Sequence, residues 1–314
     1  MKIVALAGGI GGARFLRGLR SALPEAEITV IGNTGDDISL FGLRVCPDLD
    51  TVMYTLGGGI NEEQGWGRTD ETFTVKEELG AYGVGPNWFG LGDRDFATHI
   101  VRTQMLAAGY ELSAVTEALC DRWKPGVRLI PMTDDQVETH VVIEDEQGRR
   151  AIHFQEWWVR LRASVPALSI AAVGAEDSAP APGVLEAIEA ADVVVLPPSN
   201  PVVSIGTILS VPGIRDAVAA KTVVGVSPII GTAPVRGMAD ACLTAIGVDT
   251  SAQAVAELYG PDLLDGWLVA ETDTNVHVKD IEVRSRPLLM TDPDATAALA
   301  RAAVDLAVEL KEAR

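Results

Sequence analysis

The first 31 residues limit the possible folds more than any other stretch, because they have the pattern of strand, glycine-rich turn, helix and strand. Lys2–Ala7 is a nearly continuous apolar run that ends at glycines, and residues 13–23 place apolar side chains at helical spacing. β-Branched residues then lead to the polar stretch 33–37. Units of this kind assemble parallel sheets. We therefore expect an α/β fold with a Rossmann-like, doubly wound, mostly parallel sheet.

The rest of the chain repeats this pattern around a different central region. Apolar runs at 168–173, 192–196 and 223–226 predict further buried parallel strands. Residues 51–123 show mostly helical patterns, which indicates a helical insertion. We expect residues 1–50 and 124–314 to form an α/β nucleotide-binding core that the insertion interrupts.

The net charge of the chain excludes some classes of binding partner. The chain of 314 residues has 25 Lys plus Arg and 44 Asp plus Glu, a net charge of −19, which repels nucleic acids and anionic membranes. We expect neither as a partner. Local arginines, backbone amides or a metal ion would then have to attract an anionic small substrate.

Cellular location is predicted from what the sequence lacks. The three cysteines, Cys46, Cys120 and Cys242, lie far apart without metal-ligand spacing. The first twelve residues do not resemble a secretion signal, and no apolar run reaches the roughly 20 residues that span a bilayer. We expect a cytoplasmic protein with unpaired thiols.

The glycine-rich turn is the first candidate for ligand binding. Glycines between a strand and a helix let backbone amides approach a phosphate; here these are Gly8, Gly9, Gly11 and Gly12. Arg14 stands where a dinucleotide fingerprint has its third glycine, and it is either a phosphate partner or a solvated helix residue. A tight turn that permits close helix packing is the structural alternative.

Two acidic pairs suggest a metal site. Asp36 and Asp37 end the second strand, and Asp48 and Asp50 begin the next helical stretch. Carboxylates at one sheet edge can hold Mg²⁺ together with substrate phosphates. Asp48 and Asp50 could instead be simple helix caps. We assign Mg²⁺ to Asp36, Asp37 and Asp50, and expect Asp50 to be partly solvated.

Residues 92–102 form a further polar cluster, and two proline-bounded loops follow apolar strands. His99 and Arg102 share a helix face that could hold a polar ring or a sugar alcohol, although a structural histidine explains the pattern equally well. The loops at 197–206 and 227–231 would reach the same sheet edge as the glycines. Their candidate nucleotide-binding residues are Ser199, Asn200, Ser204, Gly206 and Ser227.

Taken together, these motifs resemble the 2-phospho-L-lactate transferase family over almost the whole chain. The matching stretches, in order, are GGIGGAR (8–14), GDD (35–37), PDLDT (47–51), GDRDFATH (92–99), PMTDD (131–135), FQEWW (154–158), PPSNP (197–201) and SPIIG (227–231). That family transfers phospholactate from a guanosine diphosphate donor to the deazaflavin Fo and releases GMP, a step in coenzyme F420 biosynthesis. Trp157 and Trp158 resemble the actinobacterial branch, whose donor carries phosphoenolpyruvate instead.

The resemblance implies that the sheet edge binds the guanosine diphosphate, that Asp50 holds Fo or the metal, and that the protein is a homodimer. We expect the helical insertion to contribute to the Fo site, with the Fo-binding residues Asp50, Thr51, Asp93, Arg94, His99 and Arg102. Asp36 and Asp50 are the candidate catalytic residues; the general base is left open, because a metal ligand is a poor base.

Two other classes of function remain open on the residues alone. A nicotinamide-dependent dehydrogenase would use the glycine turn, but Arg14 interrupts its fingerprint. A nucleotide-binding module without turnover would use the same sheet edge, but it gives no reason for two acidic pairs. Binding of NADH against GDP, and release of GMP, separate these functions.

Overall fold

The computed structural model describes residues 1–313. In chain order the strands are β1 (Lys2–Ala7), β2 (Glu27–Gly32), β3 (Ile38–Leu40), β4 (Leu43–Val45), β5 (Arg128–Pro131), β6 (Glu138–Asp145), β7 (Gly148–His153), β8 (Ala167–Val173), β9 (Val193–Leu196), β10 (Val223–Val226), β11 (Ile229–Ile230), β12 (Ala233–Pro234), β13 (Gly266–Ala270) and β14 (Glu282–Arg286). The α-helices are α1 (Gly9–Ala22), α2 (Pro47–Gly57), α3 (Thr74–Ala81), α4 (Asp93–Ala107), α5 (Leu112–Trp123), α6 (Val184–Ala190), α7 (Thr207–Ser210), α8 (Ile214–Ala219), α9 (Ala239–Ala245), α10 (Ala252–Tyr259) and α11 (Pro293–Ala313). Short 3₁₀ or π turns cover Glu156–Arg160, Ala175–Asp177 and Pro201–Gly206.

A seven-stranded parallel sheet forms the centre of the molecule, in the order β14-β13-β10-β9-β1-β2-β5. The prediction of a doubly wound parallel sheet is confirmed. Three of its strands, β5, β13 and β14, were absent from the sequence-based expectation. Chain order reverses between β1 and its neighbours β2 and β9, so the loops after these strands enclose a crevice at their carboxyl ends.

Side chains alternate across the sheet and feed two separate cores. Ile3 and Ala5 face a core shared with α1, α2, α5 and α11, whereas Val4 and Leu6 face a core shared with α6, α8 and α10. Both faces are thus covered, as a parallel sheet requires. Helix α11 lies so close to α1 that a Cβ on Gly18 would stand 2.6 Å from the Thr296 carbonyl oxygen.

Residues 168–173 depart from the prediction of a buried parallel strand. They form β8, which pairs antiparallel with β6 in a small sheet of order β7-β6-β8. Leu168 and Val173 are exposed there. The physical reason is that an apolar run also suits a partly solvated edge strand, and apolar content alone does not reveal strand direction.

The segment between β2 and β5 contains the β3–β4 hairpin and helices α2 to α5. Helices α2 and α5 add side chains to the main core, but α3 has no buried residue. Within residues 1–313 no helix is both long and apolar enough to cross a membrane. The boundaries predicted for the insertion, residues 51–123, stay a prediction.

Candidate active site

A cavity of about 670 Å³ opens at the carboxyl ends of β1, β2 and β9, within the size range of small-molecule sites. Its walls come from the glycine turn, α2, α4 and the loop after β9. Segments 64–67, 154–159, 235–239 and 288–291 complete it. The residues that line it include Gly8, Gly9, Gly11, Arg14, Asp36, Asp48, Asp50, Thr51, Tyr54, Asp95, His99, Ser199, Asn200, Ser204 and Arg236.

The glycine turn and the loop after β9 are joined directly. Gly8 is the N-cap of α1, so the later glycines belong to the first helical turn rather than to a loop. Ser199 Oγ donates to the Gly8 carbonyl at 2.8 Å and accepts from the Gly8 amide at 3.3 Å. A Cβ on Gly11 would lie only 2.6 Å from the Pro198 carbonyl oxygen. The glycines therefore serve close packing of the two loops as well as an open helix N-terminus.

Asp36 and Asp48 are neighbouring carboxylates inside the cavity. Asp48 accepts from Asn33 Nδ2 at 2.9 Å, whereas one oxygen of Asp36 has no hydrogen-bond partner within residues 1–313. Burial raises the pKa of Asp48 to about 6. Burial, and then the charges of Asp48 and Asp37, hold the pKa of Asp36 well above its usual range. Two carboxylates that repel one another, one of them with an unpartnered oxygen, are suited to a cation.

The remaining acids of the predicted metal site face arginines. Asp37 accepts from Arg44 Nη2 at 3.1 Å, and Asp50 accepts from Arg102 Nη2. Asp50 is 5% exposed, so the expectation of a partly solvated carboxylate is wrong. Its partner Arg102 reaches across from α4 and is itself buried. Within residues 1–313 no group of three His, Cys, Asp or Glu side chains is arranged to hold a metal ion.

His99 is neutral and presents its second nitrogen as a donor. Arg102 Nη1 lies 3.1 Å from His99 Nδ1, and because a guanidinium only donates, Nδ1 accepts and the proton resides on Nε2. Burial lowers the pKa of His99 to about 4, which agrees with this assignment. The 3.7 Å separation from Asp50 is therefore not an ion pair. Nε2 has no partner within residues 1–313.

Tyr54 and Asp95 form a second polar pair near His99. Both line the cavity, and each has a buried oxygen without a hydrogen-bond partner among the described residues. Burial and then the charge of Asp50 raise the pKa of Asp95 to about 7. Trp66, Phe89 and Leu91 surround this end of the cavity with apolar surface. The arrangement is suited to a flat, largely apolar ligand with a polar edge.

Several predicted site residues lie outside the cavity lining. Asp93 accepts from the Thr74 and Val75 amides and so caps α3, while Arg94 is exposed beside it. Ser227 Oγ is bound to the Ile229 carbonyl. The other predicted site residues outside the lining contact protein groups instead, and they are Gly12, Asp37, Arg102 and Gly206.

Sequence reasoning missed part of the lining. Asp48 belongs to one of the two acidic pairs that suggested a metal site, but it was not among the three residues assigned to Mg²⁺. Tyr54, Asp95 and Arg236 were not among the predicted site residues. Their shared position depends on how α2, α4 and the segment after β12 meet, which no local pattern records.

The fold and site together define a class: an α/β enzyme with an open helix N-terminus and a carboxylate pair at the switch point of a parallel sheet, suited to phosphorylated nucleotides. Over residues 3–305 the chain matches the family described as 2-phospho-L-lactate transferase CofD. The chain belongs to this family, which confirms the resemblance and the assignment to an enzyme class, a transferase.

Relatives from three actinobacteria are similar over their full length, and each is described as a phosphoenolpyruvate transferase. The protein of Thermobifida fusca is 76% identical and covers 99% of both chains. That of Streptomyces coelicolor is 72% identical over 100% of both chains, and that of Mycolicibacterium smegmatis is 58% identical over 98% of this chain and 99% of its own.

A solved Bacillus halodurans structure resembles this fold. Its TM-score is 0.64 with 17% identity, and the match covers 96% of this chain and 99% of the Bacillus chain. At that identity the likeness supports the fold alone.

Proposed function

We propose that this protein transfers a phosphoenolpyruvyl group from a guanosine diphosphate donor to the terminal ribityl hydroxyl of Fo and releases GMP. One observation supports the proposal above all. A single cavity has the glycine turn and small polar groups at one end and buried charged and aromatic side chains at the other, with Asp36 and Asp48 between them. The relatives described as phosphoenolpyruvate transferases support phosphoenolpyruvate over phospholactate as the transferred acid.

The donor end consists of the glycine turn and the loop after β9. The first turn of α1 lines the cavity at the positive end of the helix, where a diphosphate is stabilised, and its Gly9 amide interacts with the carboxylate of Asp48. Ser199, Asn200 and Ser204 add small polar groups from the opposite wall. Because Ser199 is bound to Gly8, the two walls are fixed relative to each other before the donor arrives.

Asp36 and Asp48 fit a magnesium ion better than the predicted set of Asp36, Asp37 and Asp50. Asp36, Asp37 and Asp50 each keep one unpartnered buried oxygen, but Asp37 and Asp50 are already paired with guanidinium groups, whereas Asp36 has no cationic partner within residues 1–313 and lies beside Asp48. Mg²⁺ characteristically takes one or two carboxylates and completes its shell with water and substrate phosphate oxygens. When bound, the ion would neutralise negative charge on the donor diphosphate.

The acceptor end consists of α2 and α4. The neutral His99 offers its Nε2 proton, and the Tyr54 hydroxyl and the Asp95 carboxyl offer further hydrogen bonds. These groups match the carbonyl and N–H edge of a deazaflavin ring, and Trp66 and Phe89 match its faces. Arg102 holds Asp50 and His99 in place from behind, so it acts through them rather than by touching the substrate.

In the reaction, the ribityl oxygen of Fo forms a bond to the phosphorus that carries the enol acid. The bond from that phosphorus to the GMP oxygen breaks, and the hydroxyl proton is lost. The chain contributes position: the α1 amides orient the diphosphate, and the acceptor end places the hydroxyl in line. We assign no general base.

The same proposal includes a cytoplasmic homodimer. Exposed apolar side chains on the helical segment, among them Phe73, Val75 and Tyr82, supply surface that a second copy could cover. Light scattering after gel filtration measures the oligomeric state, and a monomer at all protein concentrations would remove this part of the proposal.

The decisive experiment is incubation of the purified protein with donor, Fo and Mg²⁺, followed by chromatography. We expect GMP and the enolpyruvyl phosphodiester of Fo in equal amounts. A parallel titration should show binding of GDP and none of NADH. Release of no GMP, or product formation with a nucleotide other than the guanosine donor, would refute the proposal.

A further inference from the structure

Two arginines stand at the rim of the donor end without a carboxylate partner. Arg14 lies in the second turn of α1, and Arg236 lies in the segment after β12. Within residues 1–313 neither makes an ion pair, and they are the only Lys or Arg side chains that line the cavity. In a chain of net charge −19, these two guanidinium groups are the positive side-chain charges that face the cavity.

The two guanidinium groups converge although they come from distant parts of the sequence. Arg236 is exposed at the rim, and partial desolvation, followed by the nearby charge of Arg14, lowers its pKa. Two like charges drawn together in this way repel one another, and a bound anion would remove that repulsion.

The segment 62–65 holds both arginines toward the cavity through backbone oxygens. Arg14 Nη2 donates to the Glu62 carbonyl at 3.4 Å, and Arg236 Nη2 donates to the Gln64 carbonyl at 2.6 Å. The Glu62 carboxylate itself pairs with Arg17 and is not available to Arg14. Uncharged carbonyls orient the guanidinium groups and leave their positive charge uncompensated.

We propose that Arg14 and Arg236 act as a pair that binds an oxyanion of the guanosine donor. The inference rests on the proposed function, adds Arg236 to the site, and gives Arg14 a partner. Guanidinium groups bind phosphate and carboxylate oxygens with similar geometry, and the donor offers both, a diphosphate and the carboxylate of the enol acid. Segment 62–65 would then close one side of the donor site.

The test compares Arg14→Gln and Arg236→Gln with wild type. Calorimetry of GDP and of the complete donor, each at low and moderate salt, is the readout. Arg215→Gln serves as control, because Arg215 pairs with Asp262 away from the cavity. We expect each cavity variant to bind the complete donor about tenfold more weakly and to show a shallower salt dependence. Arg236→Lys, which keeps the charge, should recover part of the affinity.

The two ligands distinguish the two sources of the oxyanion. Equal losses for GDP and for the complete donor place the pair on phosphate, whereas a loss confined to the complete donor places it on the carboxylate. Wild-type affinity in both Gln variants overturns the proposal. So does a loss with unchanged salt dependence, which would make the arginines mere tethers of segment 62–65. Failure of the proposed function is separate, since wild type itself would then neither bind GDP nor release GMP.

Discussion

The two ends of the cavity differ in the chemical groups that line them. The donor end uses backbone amides, glycines and small hydroxyl groups, held by contacts such as that between Ser199 and Gly8. The acceptor end uses charged and aromatic side chains buried between α2 and α4, with the Asp50–Arg102 pair at its centre. Backbone groups are positioned by the fold at little cost, whereas buried charges are stable only while every partner is present.

Removal of one charge of a buried pair should therefore lower the stability of the protein more than any other change considered. Arg102→Met leaves the Asp50 carboxylate buried without its counterion, and we expect a loss of about 3–5 kcal/mol in the free energy of unfolding. Chemical denaturation measures it. The matched control, Arg160→Met, breaks the surface pair with Glu156 and should cost under about 1 kcal/mol.

A double variant tests whether the cost comes from the unpaired charge. Asp50→Leu combined with Arg102→Met removes both charges, and it should be more stable than Arg102→Met alone. If the single variant costs no more than the surface control, the acceptor end does not depend on charge pairing, and the contrast between the two ends disappears.

Asp36→Asn and Asp48→Asn test the point where the ends meet. Each removes a carboxylate from the proposed metal pair, and we expect the rate of GMP release to fall about 10²–10³-fold. The fold should survive, because removing one of two repelling buried carboxylates relieves unfavourable charge. Calorimetric titration with Mg²⁺ in the presence of GDP should show weaker metal binding. Wild-type rates in either variant would exclude that carboxylate from the site, and Asp305→Asn, at an exposed position of α11 outside the cavity, is the control.

Gly11→Ala tests the donor end through its packing. The new Cβ would lie 2.6 Å from the Pro198 carbonyl oxygen, so the two walls must separate. We expect a loss of about 1–3 kcal/mol in stability together with weaker GDP binding. Gly80→Ala in α3 adds a Cβ at an ordinary distance of 3.6 Å from Asn87, so it should neither lower stability nor weaken GDP binding. Loss of GDP affinity at wild-type stability would show that the glycine serves only the ligand.

The smallest expected effect is the pH dependence of stability that Asp95 causes at the acceptor end. The pKa of Asp95 is raised to about 7 in the folded protein, above its unfolded value, so its buried charge destabilises the fold above pH 7. As the pH falls below 7, Asp95 takes up a proton in the folded state and this penalty is lost. The free energy of unfolding of Asp95→Asn should therefore exceed that of wild type at pH 8, and this difference should shrink by about 1–2 kcal/mol at pH 5.5. Chemical denaturation at the two pH values measures it. A margin independent of pH would contradict the burial of a charge here.

The same contrast explains what the sequence could predict. Strand β1, helix α1 and the loop after β9 are each encoded by neighbouring residues, so local patterns were enough to predict a parallel sheet and two of the loops that line the cavity. Arg102 meets Asp50 across 52 positions of sequence, and no periodicity reports such a pair. Burial decides its role, and burial depends on tertiary packing.

The errors in the strands predicted from the sequence have a similar cause. Strand β14 has an exposed, charged sequence that does not look like part of a parallel sheet, and it was missed. Residues 168–173 look apolar enough for the core and lie on a surface sheet. In both cases the neighbouring strand, rather than the strand's own composition, determines where it pairs.

The packing of α11 on α1 has a consequence for synthesis on the ribosome. Helix α1, which carries the glycines proposed to bind the donor, is made early, yet one side of it, around Gly18, is covered by α11, which begins only at Pro293. Until α11 emerges, Phe15 and Leu16 lack part of the apolar surface that buries them. A nascent chain that ends before α11 should thus stay open to chaperones and unable to retain the guanosine donor, so that ligand capture begins only when synthesis of the fold is nearly complete.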